Sequence, residues 1–201
     1  MRARIPYMAG PRDLLLSFMR LACALGLIIF TASCGNPTLQ QKISASLQIS
    51  SSGITGGRIA AKYSCDGQDV SPELSWSAPP SGTKAFVLIV IDRDTILGSA
   101  VGDFVHWTVF NIPGDKRQLP EAMPSQGQLP DGSVQGKNDF DKLGYGGPCP
   151  HGKSPHRYVF SLYALDTSLS LSAGASEKQI MQAMDGHILA QGEITGAYRR
   201  Q

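Results

Sequence analysis

The polarity pattern of this chain is mainly that of strands. Phe86-Val87-Leu88-Ile89-Val90-Ile91 is an unbroken apolar run inside Lys84–Ile91 that stops at Asp92. A run of that length, rich in β-branched residues, predicts a strand buried on both faces. Phe104–Ile112 predicts a second strong strand, closed by Pro113-Gly114, and Arg157–Leu165, rich in Tyr, Val and Phe, predicts a third. Leu47 and Ile49 alternate in a first short strand, and 74–77 is a short segment between turn clusters at 69–72 and 78–82. Near the C-terminus, Ile188, Ala190, Ile194 and Tyr198 fall on one face of a last strand. Ser176 with Gln179 three residues on forms a capping box, which predicts a short helix that Gly186 ends. Strands with a small helical component predict a mainly β fold, a Greek-key β-sandwich with one or a few short peripheral helices, over a doubly wound sheet. The stretch 114–155, rich in Gly and Pro, is too long for a simple connector and is expected to be functional or self-packed.

The N-terminal segment changes the picture of location. Arg2, Arg4, Arg12 and Arg20 precede the apolar run Leu21–Phe30 and the small residues Thr31-Ala32-Ser33 before Cys34. This is the pattern of a secretory signal over 1–33, with Met19 as an alternative start. The run is too short for a membrane span, which needs about 20 residues. Cys34 resembles the lipidated cysteine of a bacterial lipoprotein, with 34–42 as its tether and 43–201 as the domain. Ordinary cleavage and release is the alternative, since Thr31 departs from the usual Leu. The expected location is the bacterial cell envelope, membrane-anchored on the outer-membrane or periplasmic side, or else secreted. Removing 1–33 leaves 14 basic against 15 acidic residues, so the basicity of the whole chain belongs to the signal. No basic stripe remains for nucleic acid.

Cys65 and Cys149 are the only cysteines of the domain. An oxidising compartment favours a disulfide between them, the alternative being two separate thiols. Two cysteines cannot make a structural zinc site, and the irregular spacing of His106, His151 and His156 is poor for a metal. No metal or cofactor is expected.

The candidate chemistry lies at strand ends. Asp92 stands where the buried run emerges, with Asp94 two residues on; His106 is near the start of the next strand, and His156 and Tyr158 begin the third. Residues two apart on a strand face the same side, so one edge can gather Asp92, His106, His156 and Tyr158 under the loop 144–150. In that loop Gly146 and Gly147 have no Cβ to keep a ligand off the backbone. The histidines and Tyr158 can donate hydrogen bonds, whereas Asp92 only accepts and would repel a bare anion. That mixture suits a zwitterionic headgroup or a phosphate monoester. Arg157 has a plain alternative role, pairing with a surface carboxylate, and Asp94 one in capping its turn.

Taken in order, Cys65-Asp66-Gly67, Val70-Ser71-Pro72, Leu74-Ser75-Trp76, Asp92-x-Asp94, His106-Trp107, Asn111-Ile112-Pro113, Gly144-Tyr145-Gly146-Gly147-Pro148 and His156-Arg157-Tyr158 resemble the phosphatidylethanolamine-binding protein family, in its bacterial YbhB/YbcL or Raf-kinase-inhibitor-like branch. The resemblance spans nearly all of 43–200. It implies a β-sandwich with a small anion-accepting cavity at one end, lined by Asp92, His106, Gly147, Pro148, His156 and Tyr158. The family's Asp-Pro-Asp-x-Pro is here Asp92-Arg93-Asp94-Thr95-Ile96, so a pre-set turn is lost or reshaped. The leading expectation is a non-enzymatic binding domain for a small anionic or phosphate-bearing ligand, membrane-anchored through Cys34. The alternatives are a protein-interaction or protease- or kinase-inhibitor-like module with an envelope protein or protease as partner, and a hydrolase using Asp92, His106, His156 and Tyr158.

Overall fold

A computed structural model describes residues 45–97, 100–152 and 154–200. The signal, the tether and Cys34 lie outside the described residues. In chain order the strands are β1 (Ala45–Ser46), β2 (Ile49–Ser50), β3 (Ile54–Thr55), β4 (Arg58–Ile59), β5 (Leu74–Trp76), β6 (Ala85–Leu97), β7 (Ala100–Pro113), β8 (Gln118–Leu119), β9 (Val134–Gln135), β10 (His156–Leu165) and β11 (Ile188–Tyr198). A short 3-10 turn covers Ala61–Tyr63, and helix α1 covers Glu177–Met184. The large sheet has the order β3-β4-β11-β10-β6-β7-β9, with β1 added alongside β11; the small sheet has the order β2-β5-β8. The mainly β architecture, with one short α-helix among the described residues, is therefore present.

The apolar run on β6 is buried on both faces, as its continuity predicts. Phe86, Leu88 and Val90 pack with Leu74, Trp76 and Leu119 of the small sheet. Val87, Ile89 and Ile91 pack on the opposite face with Ile180 and Met184 of α1. Period-two alternation thus feeds two cores from one strand. The Ser176 capping box is formed, and Gly186 takes the left-handed conformation just past the helix, at φ 82°.

Three expectations need correction. The strand predicted to stop at Asp92 runs on to Leu97, because β7 begins at Ala100 and pairs with it through Thr95↔Gly102 and Leu97↔Ala100. An Arg93–Asp103 ion pair ties the two strands across this extension. The turn expected to be lost or reshaped at 92–96 is here part of a long hairpin arm, and no cis peptide occurs among the described residues. The first strand is split in two: β1 pairs with β11 of the large sheet and β2 with β5 of the small one, so the chain changes sheets between them. Ile188 packs in the core beside α1 rather than with Ala190, Ile194 and Tyr198. A register shift between Ala164 and Leu165, opposite it, changes its face.

The long segment 114–155 is self-packed around two buried amides. Gln135 accepts from Trp107 Nε1 at 2.8 Å and donates to the carbonyls of Pro124 and Gln126 at 2.6 and 2.8 Å. Asn138 donates to Gly144 O at 3.0 Å and accepts from the backbone N–H groups of Phe140 and Lys142. Each amide uses donors and acceptors together, which lets irregular backbone be buried without orphaned groups.

Candidate functional site

Three adjacent strands set the site. Tyr158 of β10 is opposite Asp92 of β6, and Asp92 is opposite Phe104 of β7. Pairing then jumps from Asp92↔Phe104 and Ile91↔Val105 to Val90↔Trp107, so His106 is an extra residue on β7 without an opposite number. A bulge of this kind re-aims a side chain. Here it turns His106 into the group formed by Phe104, Phe140 and Tyr158, whose rings stand edge-on to it at 5.3, 5.1 and 5.1 Å.

The loop 144–150 is latched to the bulge and to the 63–69 segment. Gly146 N–H donates to His106 O at 3.0 Å, and His106 Nδ1 lies 2.7 Å from Gly146 O. A carbonyl can only accept, so Nδ1 carries the hydrogen. Burial holds the His106 pKa below the ordinary histidine value, against the opposing pull of the Gly146 carbonyl and of Asp92, Asp139 and Asp69. His106 is therefore a neutral imidazole near pH 7 whose Nε2 is a bare acceptor. On the other side, Gly147 N–H donates to Asp69 Oδ1 at 2.6 Å, Cys65 N–H to Pro148 O at 3.1 Å, and Tyr145 O–H to Tyr63 O at 2.8 Å. The Cys65–Cys149 disulfide, with Cα atoms 5.4 Å apart, closes the same seam.

Asp92 is buried, with 2% of its surface exposed. One carboxylate oxygen accepts from Asp94 N–H at 2.8 Å, the other from His156 Nδ1–H at 2.8 Å. Asp94 in turn holds Arg157 through its backbone N–H and the Nε and Nη2 edge of its guanidinium, at 2.7 to 2.9 Å. The plain alternative for Arg157 is thus the one observed, and it fixes the start of β10 beside Asp92. Tyr158 is buried behind His106. Its hydroxyl is near enough to Asp92 that burial and the carboxylate together push its pKa up, yet it makes no hydrogen bond of normal geometry.

A cavity of about 200 Å³ opens over these groups, lined by Asp92, Thr95, Phe104, His106, Phe140, Cys149, Pro150, His151 and His156. Of the residues singled out in the sequence, Asp92, His106 and His156 face it together. Tyr158 backs it, and Gly147 and Pro148 are outside its lining. The two glycines have a local reason: a Cβ on Gly146 would meet the Phe140 ring at 2.7 Å, and one on Gly147 would meet Tyr63 O at 2.4 Å and Asp69 Oδ1 at 2.5 Å. It is the protein's own groups that approach their backbone. Their N–H groups are already engaged and are not free donors. The aromatic walls Phe104 and Phe140 and the rim residue His151 complete the cavity. Phe140 had no signal beyond being an aromatic residue in a polar segment. No cluster of three or more metal-ligating side chains occurs among the described residues.

Comparison with known proteins agrees with this frame. A family model described as phosphatidylethanolamine-binding protein matches residues 49–199. A UPF0098 protein of Methanothermobacter thermautotrophicus is 50% identical over 144 residues, which cover 72% of this chain and 92% of that protein. The crystal structure of a putative phosphatidylethanolamine-binding protein homologue from Chlamydia trachomatis matches with a TM-score of 0.70 at 39% identity, covering 79% of this chain and 100% of that one. The crystal structure of Escherichia coli YbcL, described as a new member of the mammalian PEBP family, matches with a TM-score of 0.70 at 36% identity, covering 78% and 100%.

Proposed function

The chain belongs to the phosphatidylethanolamine-binding protein family, and from that premise we propose that it is a non-enzymatic binding domain whose cavity takes a small oxyanion such as a phosphate headgroup. One observation carries the proposal. Asp92, His106 and His156 converge on a small concavity whose other walls include Phe104, Phe140 and Pro150. A few placed polar groups among apolar walls are the usual make-up of a small-molecule site. The volume is below the ~300 Å³ at which drug-sized pockets begin, which favours a headgroup-sized ligand. The Asp92–His156 pair has the form of an acid–base dyad, but the cavity lining holds no serine, its one cysteine, Cys149, is in the disulfide, and its one hydroxyl side chain, Thr95, is not hydrogen-bonded to His156, the base that would have to activate it. Without an obvious nucleophile, binding is favoured over hydrolysis.

Equilibrium titration of residues 35–201 with O-phosphoethanolamine and with inorganic phosphate tests this. Saturable binding, weakened at least tenfold by His156→Ala in a folded sample, is the expected result. Failure of the wild-type domain to bind either compound at millimolar concentration would sink the proposal.

Envelope anchoring through a lipid on Cys34 is part of the same proposal, supported by the arginine-flanked apolar segment before it. No helix among the described residues is long and apolar enough to cross a membrane. Cys34→Ser should move the protein from the membrane fraction to the soluble fraction; unchanged partitioning would contradict the anchor.

A further inference from the structure

We infer that the cavity selects oxyanions that arrive with a proton, above all phosphate monoesters as their monoanions, and that Asp92 turns away oxyanions that cannot carry one, such as sulfate esters. This rests on the proposed function and narrows it.

The inference follows from counting donors and acceptors. A fully ionised oxyanion needs donors around it. The loop that roofs the cavity supplies none from its glycines, because Gly146 N–H is bonded to His106 O and Gly147 N–H to Asp69. His106 has spent its one hydrogen on Gly146 O and offers a lone pair at Nε2. His156 has committed Nδ1–H to Asp92, leaving Nε2 as a donor only when the ring is protonated. Asp92 adds a carboxylate with accepting capacity left over once Asp94 and His156 are counted, even with the Tyr158 hydroxyl close behind it.

The charges facing this carboxylate do not reverse the balance. From β10 come His156 and Tyr158, and Arg157 is held by Asp94. From β7 comes neutral His106, with Arg93 of β6 engaged by Asp103. From the loops come Asp139, whose Oδ2 accepts from Val105 N–H, Asp69, and His151 at the rim. Against these acceptors the lining sets the Thr95 hydroxyl, so firm donors remain few. A bare anion brought against a buried carboxylate is repelled in a low-dielectric setting.

A phosphate monoester avoids this. Its second ionisation lies near pH 6, so near neutral pH it can keep one P–O–H at small cost and donate it to Asp92 or His106 Nε2. Its remaining oxygens can accept from the Thr95 hydroxyl, which lines the cavity, and from protonated His156. A sulfate monoester has the same shape and one negative charge but no proton to give at neutral pH.

The pair O-phosphoethanolamine and O-sulfoethanolamine separates these cases with almost no change in size. At pH 6.5 residues 35–201, which contain both described cores, should bind the phosphate ester at least tenfold more tightly than the sulfate ester. Affinity for the phosphate ester should also fall between pH 6.5 and 8, approaching about tenfold per unit as its monoanion disappears. Asp92→Asn, which keeps the shape and an oxygen for His156, should narrow the phosphate-to-sulfate ratio to about threefold or less by supplying an amide donor. Equal binding of the two esters by the wild type would overturn the inference and leave the cavity as a general oxyanion site. Binding of neither would overturn the inference together with the proposed function.

Discussion

His156 Nδ1 stands 2.8 Å from the Asp92 carboxylate on the neighbouring strand, and this bond joins the start of β10 to the middle of β6. It is local in space and distant in sequence, 64 residues apart. It also forms one side of the candidate ligand cavity, so structure and proposed function depend on the same pair.

Replacing Asp92 by Ala removes the acceptor for both His156 Nδ1–H and Asp94 N–H. Leaving buried donors unsatisfied costs about 1–3 kcal/mol. Asp92→Ala should therefore lower the urea midpoint clearly at pH 7, whereas Asp92→Asn, whose single carbonyl oxygen still accepts one of the two bonds, should lower it less. Equal losses in the two variants would contradict the role given to these hydrogen bonds.

Cys65 and Cys149 are separated by 84 positions, and their bridge is the one covalent link between the 63–69 segment and the loop beside the cavity. Closing a loop of that length restricts the unfolded chain and contributes about 4 kcal/mol. Reduction, or Cys65→Ser with Cys149→Ser, should lower unfolding free energy by about that amount, read from denaturant melts with and without reductant. Identical melts would show that the bridge contributes nothing.

Gln135 is fully buried and joins Trp107, Pro124 and Gln126. Gln135→Leu keeps most of the volume but strands an indole N–H and two carbonyls. A loss of about 3 kcal/mol is expected from these groups together, together with faster amide exchange across 124–138. A variant as stable as the parent would remove Gln135 from its place as the organiser of that segment.

His106 gives a pH dependence of known sign. Its pKa is lower in the folded protein than in the unfolded chain, chiefly through burial. Below about pH 6.5, the ordinary histidine value, the unfolded state therefore binds more protons than the folded one. Stability must then fall as pH drops from 7 toward the depressed folded value. His106→Gln should flatten this part of the stability profile, measured as unfolding free energy at pH 7 and pH 5 in both proteins. An unchanged difference between the two pH values would rule out His106 as its source.

The fold was largely legible because its main signals are local. Phe86–Ile91 announces a doubly buried strand from composition alone, Ser176 and Gln179 announce a helix start, and the only two cysteines of the domain announce a bridge once export is expected. The site was legible in part. Asp92, His106 and His156 stand at or near strand ends, and strand ends gather at sheet edges. What escaped the sequence depends on pairing between distant segments. The bulge that frees His106 exists only relative to β6, and the extension of β6 to Leu97 only relative to β7. The engagement of Gly147 N–H by Asp69 exists only where the 63–69 segment lies against the loop, 78 residues away in sequence. For the same reason the loop glycines looked like ligand contacts, whereas it is Phe140, Tyr63 and Asp69 that press against them.

The most direct test of ligand binding at this edge uses the histidine rings themselves. In residues 35–201 labelled with ¹⁵N-histidine, titration with O-phosphoethanolamine at pH 6.5 should shift the ring signals of His106 and His156 with one shared dissociation constant. His187, which pairs with Asp166 at 2.8 Å outside the cavity lining, should stay unmoved. Shifts confined to His187, or no saturable shift at His106 and His156, would contradict a ligand cavity built on Asp92, His106 and His156.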